Sequence, residues 1–280
     1  MHSRRSCGIA LVVLTALASC TEGSSEATKN PSSYVALGDS YVSGPLIPAS
    51  DPSAPECLRS LDNYPHLVAA ALDGSRFVDV SCAGATTEDV RRAIKGRSAQ
   101  LDAVGPKTQL VTVGIGANDA GLAKAWFNYC LLDSRSDATC EAFASKYSAI
   151  LLSQTRERVV AALKEIKGRA PDAKILLVGY LRITPESGPC EVLPISEANR
   201  EASARYERNV SVMLRTASKD TDVDFVDAWA ISKGHDACAG KKAWVNGLTN
   251  GDGAYLHPNS LGMEAVAREV LRVLRDEQRG

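Results

Sequence analysis

The stretch "YVALGDSYVSG", residues 34–44, breaks an apolar run, Tyr34-Val35-Ala36-Leu37, at Gly38-Asp39-Ser40. A short apolar run with no polar alternation reads as a strand buried on both faces, as in a parallel sheet. Gly, Asp and Ser all favour turns, so the chain leaves the strand here. Ser40 is then either a nucleophile at the carboxyl end of a strand or a turn residue, and Asp39 a turn former. The stretch alone leaves both readings open.

Working outward, similar runs recur at 77–80, 110–113, 175–178 and 223–226, with helical patterns between them. "NYPHLVAAAL" (63–72) carries Pro65 near its start and an apolar face at Leu67, Val68, Ala71 and Leu72. "TTEDVRRAI" (86–94) opens with Thr and acidic residues that suit a helix N-terminus. Residues 141–168 form one long amphipathic pattern ending at Gly168; further helices are expected over 196–217 and, after "HPN", over 259–277. This alternation predicts an α/β fold: a mainly parallel central sheet, helices on both faces and right-handed crossovers, with 34–280 as one domain. Ligands in such sheets bind beyond the carboxyl ends of the strands. Ser40, "SCAGATT" (81–87) and "GIGANDAG" (114–121) all follow strands and therefore meet on one edge.

Bulk composition narrows the partners. The 280 residues carry a net charge of −1, so there is no basic excess to neutralise phosphates and nucleic acid is not expected as a partner. The N-terminus, "MHSRRSCGIALVVLTALASC", has a basic start and an apolar stretch from Gly8 to Ala18 too short for a membrane span, which predicts a signal peptide over 1–20. Leu17-Ala18-Ser19-Cys20 looks like a bacterial lipobox with Cys20 as the lipidated residue; an ordinary signal peptide is the alternative. Lipidation would tether the protein to the outer face of a membrane. The Arg4-Arg5 pair resembles the start of a twin-arginine export signal, but the residues after it match that signal poorly. Residues 21–33 are small and polar and read as a flexible tether.

Export implies an oxidising compartment. Setting aside Cys7 and Cys20, an even set remains, Cys57, Cys82, Cys130, Cys140, Cys190 and Cys238, which favours disulfides. Arithmetic leaves the pairing open. No Cys-x-x-Cys pair or Cys/His cluster is present, so no metal is expected.

A serine hydrolase needs a base beside its hydroxyl and donors where an oxyanion forms. Of the four histidines, His2 leaves with the signal, His66 lies inside a helical pattern and His235 in a polar loop. His257, in "YLHPNSLG", precedes the last helix and projects from a loop end, as either a base or a helix-flanking polar residue. Gly84 brings a backbone N–H where no side chain intervenes, or is a plain turn glycine. Asn118 offers an uncharged amide donor, or caps a helix together with Asp119, to which only that structural role is given.

The order "GDS", "AGAT", "GAND" and "HPN" resembles the SGNH (GDSL) hydrolase superfamily across nearly all of 34–280. The resemblance implies a three-layer α/β/α, flavodoxin-like fold and a carboxylic ester hydrolase needing no cofactor. It implies Ser40 as nucleophile, His257 as base, and the Ser40 and Gly84 amides with the Asn118 side chain as oxyanion hole. The cysteines, with "KKAWVNGL" (241–248), resemble those of its secreted actinobacterial lipases and esterases, which implies Cys57–Cys82, Cys130–Cys140 and Cys190–Cys238. One departure stands out. Where many members carry an Asp three residues before the histidine, this chain has Ala254. The subgroup implies a backbone carbonyl instead, that of Ala254 or a neighbour, with Asp252 as the alternative orienting group. Loops 43–62 and 122–140, the latter with Trp126 and Phe127, are expected to wall the pocket. The expected partner is a small-molecule or lipid ester, phospholipid included, acted on by a monomer. The rival readings are a carbohydrate acetyl esterase and a non-catalytic glycan- or lipid-binding lipoprotein.

Overall fold

The computed structural model describes residues 30–94, 96–132, 136–249 and 251–277. The expected signal peptide, Cys20 and the tether up to residue 29 lie outside the described residues.

Five strands, β1 (Ser33–Gly38), β2 (Arg76–Asp79), β3 (Leu110–Gly114), β4 (Lys174–Val178) and β5 (Asp224–Val226), form one parallel sheet in the order β2-β1-β3-β4-β5. β1 and β3 are buried along their whole length, and Val35 pairs with Val78 on one side and Val111 on the other. Around the sheet lie α1 (Ser40–Ser43), α2 (Tyr64–Ala71), α3 (Thr87–Arg91), α4 (Leu122–Trp126), α5 (Asp137–Ala142), α6 (Ser148–Arg169), α7 (Glu197–Thr221), α8 (Ala228–Ile231) and α9 (Ser260–Glu277). α2 packs on α9, while α6 packs on both α3 and α7. The chain steps one way from β1 to β2 and the other way thereafter. Right-handed crossovers therefore put α2 on one face and α3, α6 and α7 on the other, giving three layers.

Local chemistry explains the starts of these helices. The Asn63 side chain accepts the His66 N–H ahead of α2, Thr86 and Asp89 form a reciprocal capping box on α3, and Ser196 accepts the Asn199 N–H on α7. Two expected helices differ. The pattern over 141–168 is not one helix: a wide π-helical turn, Phe143–Tyr147, separates α5 from α6, and α6 passes through Gly168 to Arg169. The turn lets Phe143 bury against Tyr129 and Tyr206, at ring-centroid distances of 5.6 and 5.2 Å, while Cys140 stays bonded to Cys130. α3 stops at Arg91, and Ile94 pairs with Arg97 in a short bridge instead of extending it. Cys57 is bonded to Cys82 and Cys190 to Cys238.

The sheet order reverses direction between β1 and β3, and crevices open at such points beyond the strand ends. Ser40 follows β1 and Asn118 follows β3, so the topology places both at this crevice.

Candidate active site

Gly38 makes the exit from β1 possible. Its φ is +151°, and a Cβ there would lie 2.3 Å from Val42 and 2.5 Å from the Gly114 carbonyl oxygen, so only glycine fits. The chain then turns into the single helical turn α1. Asp39 caps it by accepting the Tyr41 N–H at 3.0 Å, and Gly44 closes it in the left-handed region. Ser40 is thereby held at the crevice with its hydroxyl facing a cavity.

His257 Nε2 lies 2.7 Å from Ser40 Oγ, and its Nδ1 lies 2.7 Å from the Tyr255 carbonyl oxygen. A carbonyl only accepts, so Nδ1 carries the proton and Nε2 is left to accept the serine hydroxyl. Burial pushes the imidazole below its ordinary pKa, partly offset by the Tyr255 carbonyl, so the ring is neutral at pH 7 and competent as a base. The histidine loop is pinned from several sides. Tyr41 Oη donates to the Leu256 carbonyl at 2.6 Å, the Asn246 N–H donates to the His257 carbonyl at 2.9 Å, and the Asn246 side chain donates to the Asp252 and Ala254 carbonyls at 2.6 and 3.2 Å.

Of the expected orienting groups, the ring meets the carbonyl of Ala254's neighbour, and neither Ala254's own carbonyl nor the Asp252 carboxylate. The Ala254 carbonyl receives Asn246 Nδ2 and the His257 main-chain N–H, and does not meet the ring. The Asp252 carboxylate receives the Ser260 hydroxyl at the start of α9. The tight turn formed by the His257 N–H and the Ala254 carbonyl brings the carbonyl of Tyr255, the neighbour, under Nδ1.

Ser40, Gly84 and Asn118, the residues expected to supply oxyanion donors, line the same cavity. Among the described residues the main-chain amides of Ser40 and Gly84 donate to no protein acceptor. Gly84 has φ +78° with open space where a Cβ would stand, so the glycine serves the backbone turn and not clearance. The Ala83 N–H donates to the Cys57 carbonyl at 2.9 Å, and the neighbouring Cys82–Cys57 disulfide ties this turn to the 43–62 loop. Asn118 Nδ2 donates to the Ala85 carbonyl at 3.0 Å, which locks the amide group and leaves its second N–H for the cavity. Asn118 caps no helix with its side chain. Asp119, given a structural role, accepts the Thr87 N–H at 2.9 Å and the Thr87 hydroxyl at 2.6 Å, bracing β3's exit against α3.

The cavity has a volume of about 580 Å³. Pro45 and Leu58 wall it from the 43–62 loop, and Trp126 and Phe127 from the segment after β3. The remaining wall was not foreseen in the sequence: Leu181 and Ile183 follow β4, and Tyr206 and Val210 sit on α7. Amphipathic α7 signalled an apolar face, but not that part of it lines a pocket. Glu207 also faces the cavity region. It is buried, its carboxyl is pushed up to about 7 by burial, and it accepts the N–H groups of Ile183 and Thr184 and the Thr184 hydroxyl, so it braces the loop after β4. The other histidines lie elsewhere. His66 Nδ1 meets Asn63 at 2.8 Å near Asp79, and His235 stacks on Trp244 at 3.8 Å.

This geometry is that of an acyl-transfer site: a hydroxyl, an oriented neutral imidazole and amide donors round an apolar pocket. Comparison with known proteins agrees. Residues 36–265 match the GDSL-like lipase/acylhydrolase family, and the chain belongs to that family. It is a carboxylic ester hydrolase, similar to Lipase 2 of Streptomyces coelicolor, with 34% identity over 252 residues that cover 86% of this chain and 85% of that one. Among solved structures, it resembles the extracellular lipase of Streptomyces rimosus, with a TM-score of 0.76 at 31% identity, covering 86% of this chain and 99% of the other. It also resembles phospholipase A1 of Streptomyces albidoflavus, with a TM-score of 0.75 at 29% identity, covering 87% and 99%.

Proposed function

We propose that the chain is an exported serine lipase/esterase working through a Ser40–His257 dyad and an acyl-enzyme. The observation that carries the reading is the pair of 2.7 Å contacts made by the two nitrogens of His257, one to Ser40 Oγ and one to the Tyr255 carbonyl. Ser40 Oγ attacks the ester carbonyl carbon as His257 Nε2 takes the hydroxyl proton. The oxyanion is held by the Ser40 and Gly84 amides and the Asn118 side chain. His257 then protonates the departing alcohol, and water, activated by the same imidazole, releases the acid.

The apolar walls from Trp126, Phe127, Leu181 and Val210 favour an acyl chain longer than acetyl, and so a lipid ester over a sugar acetate. Phospholipid is one such ester, given the resemblance to a phospholipase A1. Paired cysteines and an extracellular relative support export. In this reading residues 1–20 direct export, Cys20 carries lipid and the segment after it forms a tether; the tether expected up to residue 33 stops short of it, because Ser33 is buried in β1, where the monomeric hydrolase domain begins. The test is turnover of p-nitrophenyl esters of graded length by the full chain beside Ser40→Ala, with fluorophosphonate labelling of each. Labelling that persists in Ser40→Ala, or a preference for acetate over longer esters, would overturn the reading.

A further inference from the structure

The strands β1 and β3 are joined to their ends, where the Asp39 N–H donates to the Gly114 carbonyl at 3.0 Å. Beyond that point, among the described residues, no strand ladder holds the loop carrying Ser40 against the loop carrying Asn118. One side chain spans the gap. Tyr180, just past the end of β4, accepts the Ala117 N–H on its hydroxyl oxygen at 2.9 Å and donates the hydroxyl proton to Asp39 Oδ2 at 2.6 Å. Asp39 immediately precedes the nucleophile and Ala117 immediately precedes Asn118.

Both bonds are well placed to act as a spacer. Asp39 is 1% exposed, and its other oxygen receives the Tyr41 N–H, so its carboxylate cannot swing away without undoing the cap of α1. The Tyr180 ring stands edge-on to Tyr41 at 4.9 Å, and Tyr41 in turn holds the histidine loop through Leu256. A tyrosine serving only to fill space would not need its oxygen between a main-chain N–H and a buried carboxylate.

We propose that Tyr180 is a positioning residue for ester cleavage: its hydroxyl sets the distance between the Ser40 and Asn118 loops and so the register of the oxyanion donors. This rests on the reading of Ser40 and Asn118 given above. The hydroxyl touches neither reacting group, so its effect passes through the two loops it joins and is felt where the oxyanion forms. Ground-state binding in the apolar pocket does not depend on it.

Tyr180→Phe keeps the ring and removes the oxygen. In the full chain, kcat for a short p-nitrophenyl ester is expected to fall about tenfold to a hundredfold, with KM within about twofold and the thermal midpoint little changed. In an Asn118→Ala background the same change is expected to cost clearly less than in the parent, because one of the donors it positions is gone. If Tyr180→Phe does not fold, Asp39→Asn, which disturbs the other end of the same relay, is carried through the same cycle with the same expectation. A kcat within twofold of the parent, a loss confined to KM, or effects that multiply fully in the double variant would each overturn the proposal. Ser40→Ala and Asn118→Ala alone separate the two failures. If both are crippled, the site reading stands whatever Tyr180 does; if either retains the parent rate, the site reading fails and the proposal falls with it.

Discussion

His257 Nε2 lies 2.7 Å from Ser40 Oγ, although 217 residues of chain separate them. With the imidazole neutral and its proton held on Nδ1, Ser40→Ala removes the proposed nucleophile. Turnover of p-nitrophenyl butyrate is expected to drop to near background with an unchanged melt. Asn118→Ala, which removes one proposed oxyanion donor, is expected to lower kcat by roughly 10²–10³. Steady-state rates with circular dichroism melts check both.

Asp252 is the position where an acidic orienting group would be sought first. Its carboxylate instead receives the Ser260 hydroxyl, and Nδ1 of the histidine is already bound to a carbonyl. Asp252→Ala is therefore expected to leave kcat within about twofold of the parent, since no transition-state contact is lost. A loss on the scale of the Asn118 variant would show that the carboxylate reaches the ring during turnover.

The pH profile follows from the same ring. Burial holds the His257 pKa below 6.5. A protonated imidazole cannot accept the serine proton, so kcat/KM is expected to rise with pH through a midpoint below 6.5. Asp39, pushed up to about 7 by burial against the Tyr180 hydrogen bond, titrates nearby. In Asp39→Asn the acidic midpoint should remain if it belongs to His257. A midpoint that disappears with the carboxylate would reassign it.

The Cys57–Cys82 bond closes a separation of 25 residues. A crosslink of that span is worth about 3 kcal/mol through the unfolded chain. The double variant Cys57→Ser/Cys82→Ser is expected to melt well below the parent in denaturant titration. It should also lose kcat, because the Gly84 turn hangs from the Cys57 carbonyl and the neighbouring sulfur. Equal loss of rate on reducing the parent would corroborate this.

What the sequence revealed followed from patterns that local chemistry leaves behind. Unbroken apolar runs marked β1 and β3 because both faces of those strands are covered. That Ser40 and Asn118 meet at one sheet edge was readable because each follows such a run, while the roles proposed for them and for His257 came from the resemblance carried by the four motifs. The break at Phe143–Tyr147 was hidden, since the flanking residues Ala142 and Ser148 stay helical and no Gly or Pro marks the wide turn. Tyr180 left no mark: a lone tyrosine past a strand looks like any other until its oxygen is seen between Ala117 and Asp39. The pocket wall from α7 was hidden for a similar reason, as core-facing and cavity-facing apolar residues share one stripe.

The atom that steadies the imidazole belongs to the main chain of residue 255, whose own side chain is 62% exposed. Evolution and mutagenesis alike edit side chains, and every amino acid brings the same oxygen. A saturation scan would record position 255 as tolerant, short of changes that bend the turn itself, while the neighbouring imidazole tolerates almost nothing. Part of this site is thereby inherited as conformation instead of as a letter.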